Sequence, residues 1–344
     1  MSNIVASLRG SQQRVVTVVE TDAHRFLLRE ETIVGCEHQN AAARDQIAFA
    51  GMALMATIAF SLPTPQNVLC LGLGAGTVPH YLRTTANIRT DVVEIDEAVI
   101  RLAEEHFLFG TSAKRRQVIH ADALQMIAAG PSDTSGDGRY DVVLSDMWSG
   151  GNEGAGLTLP FFSRVRDVWL RDGGVLAINL VAFIDGPYIK LAVDVVRTLR
   201  EAFDHVAVFA ESDPLDGEYD YTLEPLNLLL LGSSRPLQHA PPTLDESPDA
   251  GSMEELMTEF GKWRPARLDA AAAGVEGTVL MGAAEWEALS REASEAARGM
   301  RAQQQGLLPE DAWVAVSALL EEAEESPPRR IARAPSQPTS KEEL

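Results

Sequence analysis

Carboxylates follow three apolar, strand-like stretches of the sequence. Glu94 ends DVVE, Asp122 lies in HADAL, and Asp146 ends YDVVLSD. The carboxyl ends of parallel strands meet at one edge of a sheet, where doubly wound folds bind their ligands. An acid at the position of Glu94 can bind a ribose diol, and Asp122 can receive an adenine amino group. We therefore predict a nucleoside site. Helix N-capping is the alternative for Glu94 and Asp122, although Asp96 is the better cap.

A glycine-rich turn precedes these acids. In VLCLGLGAGTVPHYL, Gly72, Gly74 and Gly76 follow a predicted strand and precede a predicted helix. Glycine lets the backbone turn tightly and approach a ligand where a Cβ would clash, although such turns also arise for packing. Dinucleotide sites usually read G-x-G-x-x-G, and Thr77 stands at the third glycine position. The turn therefore favours an adenosyl-sulfonium cofactor, which carries no phosphate, over NAD.

Alternating strand-like and helix-like segments position these residues. Five strand–helix units begin at VLCLGLG, and HVAVFAE and LNLLLLGS close the series as an antiparallel hairpin at the sheet's edge. This alternation predicts a parallel sheet with helices on both faces. We predict an α/β fold of the class I methyltransferase-like, Rossmann-like type with a seven-stranded sheet. A small antiparallel β-sheet, formed by RVVTVVE and HRFLLREETIVGC, is expected before it.

The composition divides the chain into five regions. Residues 1–62 hold the N-terminal β-strands plus an Ala/Met-rich helix, and residues 63–232 form the nucleoside-binding catalytic domain. Residues 233–251 are a polar, Pro-rich linker. Residues 252–325 are predicted as a helical extension, and residues 326–344 as a disordered tail.

The overall charge and the cysteine content limit the function classes. The chain has 50 acidic and 29 basic residues, a formal net charge of −21, which would repel nucleic acid phosphates. Its two cysteines, Cys36 and Cys70, fit a reducing compartment better than a disulfide scaffold. The sequence has no signal-peptide pattern and no apolar run of membrane-spanning length. We predict a cytoplasmic protein that binds neither nucleic acid, membrane nor metal.

The order of these motifs resembles a known family. VLCLGLGAGT, VVEIDEAVIRLAEEHF, HADAL, YDVVLSD and DGGVLAINL resemble the spermidine synthase family of polyamine aminopropyltransferases, and most closely its divergent bacterial spermidine synthase-like branch. The resemblance covers roughly residues 14–232. It implies transfer of an aminopropyl group from decarboxylated S-adenosylmethionine to a small-molecule amine. It also implies a homodimer.

The resemblance assigns roles to individual residues. Asp146 would accept the proton of the attacking amine, with loop ordering or capping as the alternative reading. Glu94 would bind the ribose, and Asp122 with Ala123 the adenine. The remaining residues would touch the methionine-derived part of the donor: Gly72, Gly74, Ala75 and Gly76.

Two positions depart from the family pattern. Ala75 stands where the family loop has an aspartate that holds the amine of the aminopropyl arm. Ser149 stands where a second catalytic-loop aspartate is usual. Both departures remove negative charge, so intact S-adenosylmethionine stays open as the donor. Methyl or aminocarboxypropyl transfer is therefore the second hypothesis, and a catalytically silent nucleoside-binding assembly protein is the third.

Other polar residues are weaker candidates. His80 is predicted to be a partly exposed helix residue, and His106 to stand at a helix end, where a cation favours the dipole. Six further residues are candidates for a substrate contact: Glu37, His38, Asp45, Trp148, Asp185 and Tyr188.

Overall fold

The structure is a computed structural model that describes part of the chain. The described residues are 2–10, 14–40, 67–84, 87–111, 116–131, 139–147, 156–183, 189–211, 226–237, 263–265 and 308–325. The helix predicted within residues 41–61, most of the predicted linker and the predicted tail lie outside these ranges.

Four antiparallel strands form the N-terminal sheet, in the order β1-β2-β3-β4. They are β1 (Asn3–Arg9), β2 (Val15–Glu20), β3 (His24–Arg29) and β4 (Thr32–His38). The β2 sequence VVTVVE is rich in β-branched side chains, which favour strands. The predicted small antiparallel sheet is confirmed. Its first strand, β1, is an addition that the sequence did not reveal.

The main sheet has eight strands in the order β12-β10-β11-β9-β8-β5-β6-β7. Its strands are β5 (Asn67–Leu71), β6 (Arg89–Glu94), β7 (Arg116–His120), β8 (Tyr140–Ser145), β9 (Leu170–Ala182), β10 (His205–Glu211), β11 (Leu226–Ser233) and β12 (Trp263–Pro265). Neighbours from β7 to β9 pair in parallel, and β11 lies antiparallel between β9 and β10. The class I methyltransferase-like fold is confirmed.

An eighth strand, β12, extends the predicted seven-stranded sheet. It pairs antiparallel with β10. The predicted hairpin of β10 and β11 therefore lies one strand inside the sheet's edge. This strand comes from the region predicted as a helical extension, so the described part of that region adds to the sheet as well.

Helices cover both faces of the main sheet. They are α1 (Thr77–Thr84), α2 (Glu97–His106), α3 (Ala123–Ala129), α4 (Leu159–Arg164) and α5 (Ile189–Ala202). A π-helical turn, Val165–Trp169, continues α4. On β5, Val68 and Cys70 pack on the side of α1 and α2, whereas Leu69 and Leu71 pack on the side of α4 and α5. This alternation explains why the strand is apolar from Val68 to Leu71.

A C-terminal helix, α6 (Glu310–Glu325), packs against the N-terminal sheet. A separate apolar cluster joins the two elements, and its buried residues are Val19, Phe26, Leu28, Ile33, Cys36, Leu308, Ala312 and Val316. The far end of the chain therefore buries one face of the first strands.

Candidate active site

The glycine loop lies between the end of β5 at Leu71 and the start of α1 at Thr77. Gly72, Gly74 and Gly76 have φ values of 100°, 53° and 76°. A side chain with a Cβ is disfavoured in this left-handed region, so glycine is suited to all three positions.

The three glycines are also closely packed against other segments. A Cβ at Gly72 would lie 2.5 Å from the backbone oxygen of Asp146. A Cβ at Gly74 would collide with the carbonyl of Val34 in β4, and one at Gly76 would lie 2.5 Å from the Phe109 ring. Packing within the protein therefore accounts for each glycine. Contact between this loop and a donor stays a prediction.

Ala75 is turned towards the N-terminal sheet. It is 2% exposed, and its Cβ lies 2.5 Å from the place that a Cβ on Gly35 would take. Gly35 of β4 thus makes room for Ala75, and the loop carries no charge at this position. Like the glycines, Ala75 stays only a predicted donor contact.

Glu94, at the end of β6, is 5% exposed and bound by the backbone. Its Oε2 accepts a hydrogen bond of 3.0 Å from the N–H of Leu73, and its Oε1 one of 3.0 Å from the N–H of Asp96. Arg29 Nη2 lies 3.7 Å from Oε1. Burial raises the pKa of Glu94, and the two hydrogen bonds and Arg29 oppose that rise. The carboxylate therefore lies beside the loop. A ribose bound there would have to share it with the N–H groups of Leu73 and Asp96.

Asp122 caps α3, and Asp96 caps α2. Asp122 Oδ1 accepts hydrogen bonds from the N–H groups of Leu124 (2.8 Å) and Gln125 (3.3 Å). Asp96 Oδ1 accepts one of 3.0 Å from Ala98. The capping alternative thus describes Asp122, whereas Glu94 binds a loop amide rather than capping a helix. Ala123, the first residue of α3, packs against the apolar core. Recognition of adenine by Asp122 and Ala123 stays a prediction.

Asp146 follows β8 directly and lies next to the loop. Its N–H donates to the carbonyl of Leu71 (2.9 Å), which ties it to the end of β5. Its Oδ1 accepts a hydrogen bond of 3.0 Å from Asn179 Nδ2. Burial raises the pKa of Asp146, and the bond from Asn179 opposes that rise. Asp146 is half-buried, and a carboxylate whose pKa is raised is suited to accept a proton.

Two residues of this region were missed from the sequence. Asn179 interrupts the apolar run VLAINL, and the pairing of Ser145 with Ile178 places it beside Asp146. A polar residue in a buried strand was the available signal. Arg29 ends β3 in a charged hairpin turn, which gave no signal because such turns usually face solvent.

The weaker candidates fall into two groups. His80 is 5% exposed, so its prediction as a partly exposed residue was wrong, because α1 is covered by the N-terminal sheet as well as by the main sheet. His106 ends α2 as predicted. Glu37 is buried in an ion pair with Arg25 (2.8 Å). Asp45, Trp148, Asp185 and Tyr188 lie outside the described residues.

Two features are absent from the described ranges. No group of three or more His, Cys, Asp or Glu side chains there could hold a metal ion. None of the helices described is long and apolar enough to cross a membrane.

Comparison with known proteins gives two kinds of relative. No protein-family model matches the sequence. The chain is 29% identical over 183 residues to the eEF1A lysine and N-terminal methyltransferase of Mus musculus, covering 51% of this chain and 24% of that protein. It is 26% identical over 211 residues to the polyamine aminopropyltransferase of Prochlorococcus marinus, covering 60% of this chain and 66% of that protein. The chain thus spans about a quarter of the first relative's length.

Solved structures match over a larger share of the chain. A probable spermidine synthase from Corynebacterium glutamicum superposes with a TM-score of 0.60 at 19% identity, covering 81% of this chain and 96% of that one. This match covers more of the chain than the main sheet alone. The resemblance to spermidine synthases is therefore confirmed: the chain has their fold, and its relatives in sequence include a methyltransferase and a polyamine aminopropyltransferase.

Proposed function

We propose that this protein transfers an alkyl group from an adenosyl-sulfonium donor to the nitrogen of an amine. The proposal depends on the position and the pKa of the Asp146 carboxylate. Asp146 follows β8 directly, and its backbone carbonyl lies against Gly72 of the loop. Its carboxylate is held through one oxygen by Asn179, and burial raises its pKa. The second oxygen would face the nucleophile.

The proposed step is a displacement at the carbon next to sulfur. The lone pair of the amine nitrogen forms the new N–C bond, and the C–S bond breaks. Its electron pair stays on sulfur, which becomes a neutral thioether. The proton lost by nitrogen passes to Asp146, whose negative charge also favours the cationic donor and the developing ammonium.

Two forms of this reaction differ in the donor. Aminopropyl transfer from decarboxylated S-adenosylmethionine is implied by the family resemblance and by the polyamine aminopropyltransferase relatives. Methyl transfer from intact S-adenosylmethionine is favoured by Ala75, since the loop has no acid there to hold an aminopropyl ammonium group. The methyltransferase relative from Mus musculus is named for methylation of lysine and of N-termini, so both relatives support an amine acceptor.

A product assay tests the proposal. The full chain is incubated with either donor and with a panel of diamines and peptides that have free amino termini. Mass spectrometry then identifies the modified amine together with methylthioadenosine or S-adenosylhomocysteine. Donor binding without any modified amine would instead support the silent nucleoside-binding hypothesis.

The setting of the enzyme belongs to the same proposal. Cys36 and Cys70 are buried and unpaired, and burial raises the pKa of both thiols to about 12. Such thiols are unreactive and suit a reducing compartment, so we place the enzyme in the cytoplasm. A homodimer is part of the proposal as well, and sedimentation of the purified protein tests it.

A further inference from the structure

Arg29 brings a positive charge to the donor side of the site. It ends β3, its side chain is 12% exposed, and its Nη2 lies 3.7 Å from Glu94 Oε1. The other oxygen of Glu94 accepts the N–H of Leu73 in the glycine loop. The guanidinium group is therefore close to the place where Glu94 and the loop meet.

The hairpin that carries Arg29 lies on the loop itself. Val34 of β4 meets Gly74 through its carbonyl, and Gly35 meets Ala75. Through these contacts the N-terminal sheet covers the segment predicted to hold the methionine-derived part of the donor. A long, flexible side chain on this hairpin can reach that part of a bound donor.

The two donors differ in charge at this end. The decarboxylated donor carries a sulfonium and an ammonium group, both positive, whereas the intact donor carries an additional carboxylate. Arg29 would attract the carboxylate, and the planar guanidinium suits it through two parallel hydrogen bonds. Ala75 supplies no negative charge for the ammonium group. The local charges thus favour the donor with the carboxylate.

We infer that Arg29 is a specificity-determining residue that selects intact S-adenosylmethionine over its decarboxylated form. This inference rests on the proposed function, because it assumes that the loop and Glu94 hold an adenosyl-sulfonium donor. It chooses between the two forms of the reaction given above and assigns the protein to those that use the intact donor.

Calorimetric titration of the full chain with three ligands tests the inference. Methylthioadenosine lacks the amino acid end, so it reports on the nucleoside pocket alone. The wild-type protein should bind intact S-adenosylmethionine at least about 10-fold more tightly than the decarboxylated form. In Arg29→Met, which keeps an unbranched side chain but removes the guanidinium group, affinity for the intact donor should fall about 10- to 100-fold while methylthioadenosine binding stays within about threefold.

Arg89→Met is the matched control. Arg89 is 60% exposed at the start of β6 and pairs with Asp91 (3.2 Å), so its replacement should leave all three affinities unchanged. An equal loss for all three ligands in Arg29→Met would overturn the inference, because Arg29 would then only support the pocket. Wild-type preference for the decarboxylated donor would overturn it without any variant. Failure of the wild-type protein to bind any ligand would instead overturn the proposed function.

Discussion

On the predicted donor side of the site, the loop and Glu94 lie against the N-terminal sheet, whereas on the predicted acceptor side Asp146 is half-buried at the end of β8. Val34 and Gly35 pack against the loop. Arg29 pairs with Glu94, which also accepts hydrogen bonds from two backbone N–H groups. Asp146 is oriented by its own backbone and by Asn179.

This difference predicts which properties of the protein should change together in a variant. The donor side is shaped by packing between two sheets, so a change there should alter both stability and donor binding. The acceptor side contributes little to that packing. A change there should alter turnover and leave the fold and the nucleoside affinity intact.

Asp146→Asn should have the largest effect on activity. The amide cannot accept the proton, so kcat should fall at least about 100-fold, as for loss of a general base. Steady-state kinetics measures the fall, and calorimetry should show methylthioadenosine affinity within about threefold of the wild-type value.

Asp172→Asn is the matched control. Asp172 is exposed at the start of β9 and pairs with Arg235, so this variant should keep full activity. If Asp146→Asn kept its kcat, or lost nucleoside binding to the same extent, the division into two sides would be contradicted.

The sequence predicted the residues that end strands, and it missed those that approach from elsewhere. Glu94, Asp122 and Asp146 follow apolar strand patterns, so parallel pairing alone places them at one edge of the sheet. Arg29 reaches Glu94 only because the N-terminal sheet packs on the main domain. That packing depends on contacts between distant segments, such as Gly35 with Ala75, and local periodicity carries no information about them.

The same limit applies at the two ends of the chain. The strands of the main domain follow from regular alternation of apolar segments. Strand β12 and the packing of α6 on β1 and β2 depend on contacts between segments that are far apart in the sequence. Neither position can be inferred from the composition of residues 252–325.

Glu37→Gln should give the largest loss of stability, because it weakens the attachment of the N-terminal sheet. Glu37 is 2% exposed; one oxygen pairs with Arg25 (2.8 Å) and the other accepts the N–H of Leu108 (2.9 Å). Arg25 keeps its pair with Glu20 in this variant, but the neutral amide loses the charge-assisted hydrogen bonds to Arg25 and Leu108. Each such bond contributes about 1.5–3 kcal/mol, so we expect the free energy of unfolding to fall by about 3 kcal/mol. Urea denaturation measures this, and donor affinity should fall with it.

Glu105→Gln controls for loss of charge alone. Glu105 forms an exposed pair with Arg101 on α2 (2.8 Å), and such pairs contribute only about 0.3–0.5 kcal/mol. Equal losses in the two variants would mean that the attachment of the sheet does not depend on the buried pair.

Gly74→Ala should give a smaller loss, by a different route. The positive φ of Gly74 costs about 1 kcal/mol for alanine, and the new Cβ would also collide with the carbonyl of Val34. Gly173→Ala isolates the cost of the positive φ. The φ of Gly173 is 76°, but a Cβ there would meet the flexible side chain of Arg235 rather than backbone. We expect about 1 kcal/mol for Gly173→Ala and about 2–3 kcal/mol for Gly74→Ala by urea denaturation. Donor affinity should fall only for Gly74→Ala. Equal effects would show that β4 does not shape the loop.

Asn179→Ala should have the smallest effect and the most specific one. Asp146 must be ionised to accept a proton, so activity is lost as pH falls through its pKa. Burial places that pKa above the usual aspartate value, and the hydrogen bond from Asn179 stabilises the charged form and holds it down. Removing the hydrogen bond from Asn179 should raise the pKa of Asp146 further. The acidic limb of the kcat–pH profile should therefore move to higher pH, with kcat at neutral pH reduced by about threefold to 10-fold. Methylthioadenosine affinity and stability should change little.

If Asn179 only filled space, kcat would fall equally at every pH and the midpoint of the acidic limb would not move. A shift of the midpoint would identify Asn179 as the residue that positions the Asp146 carboxylate.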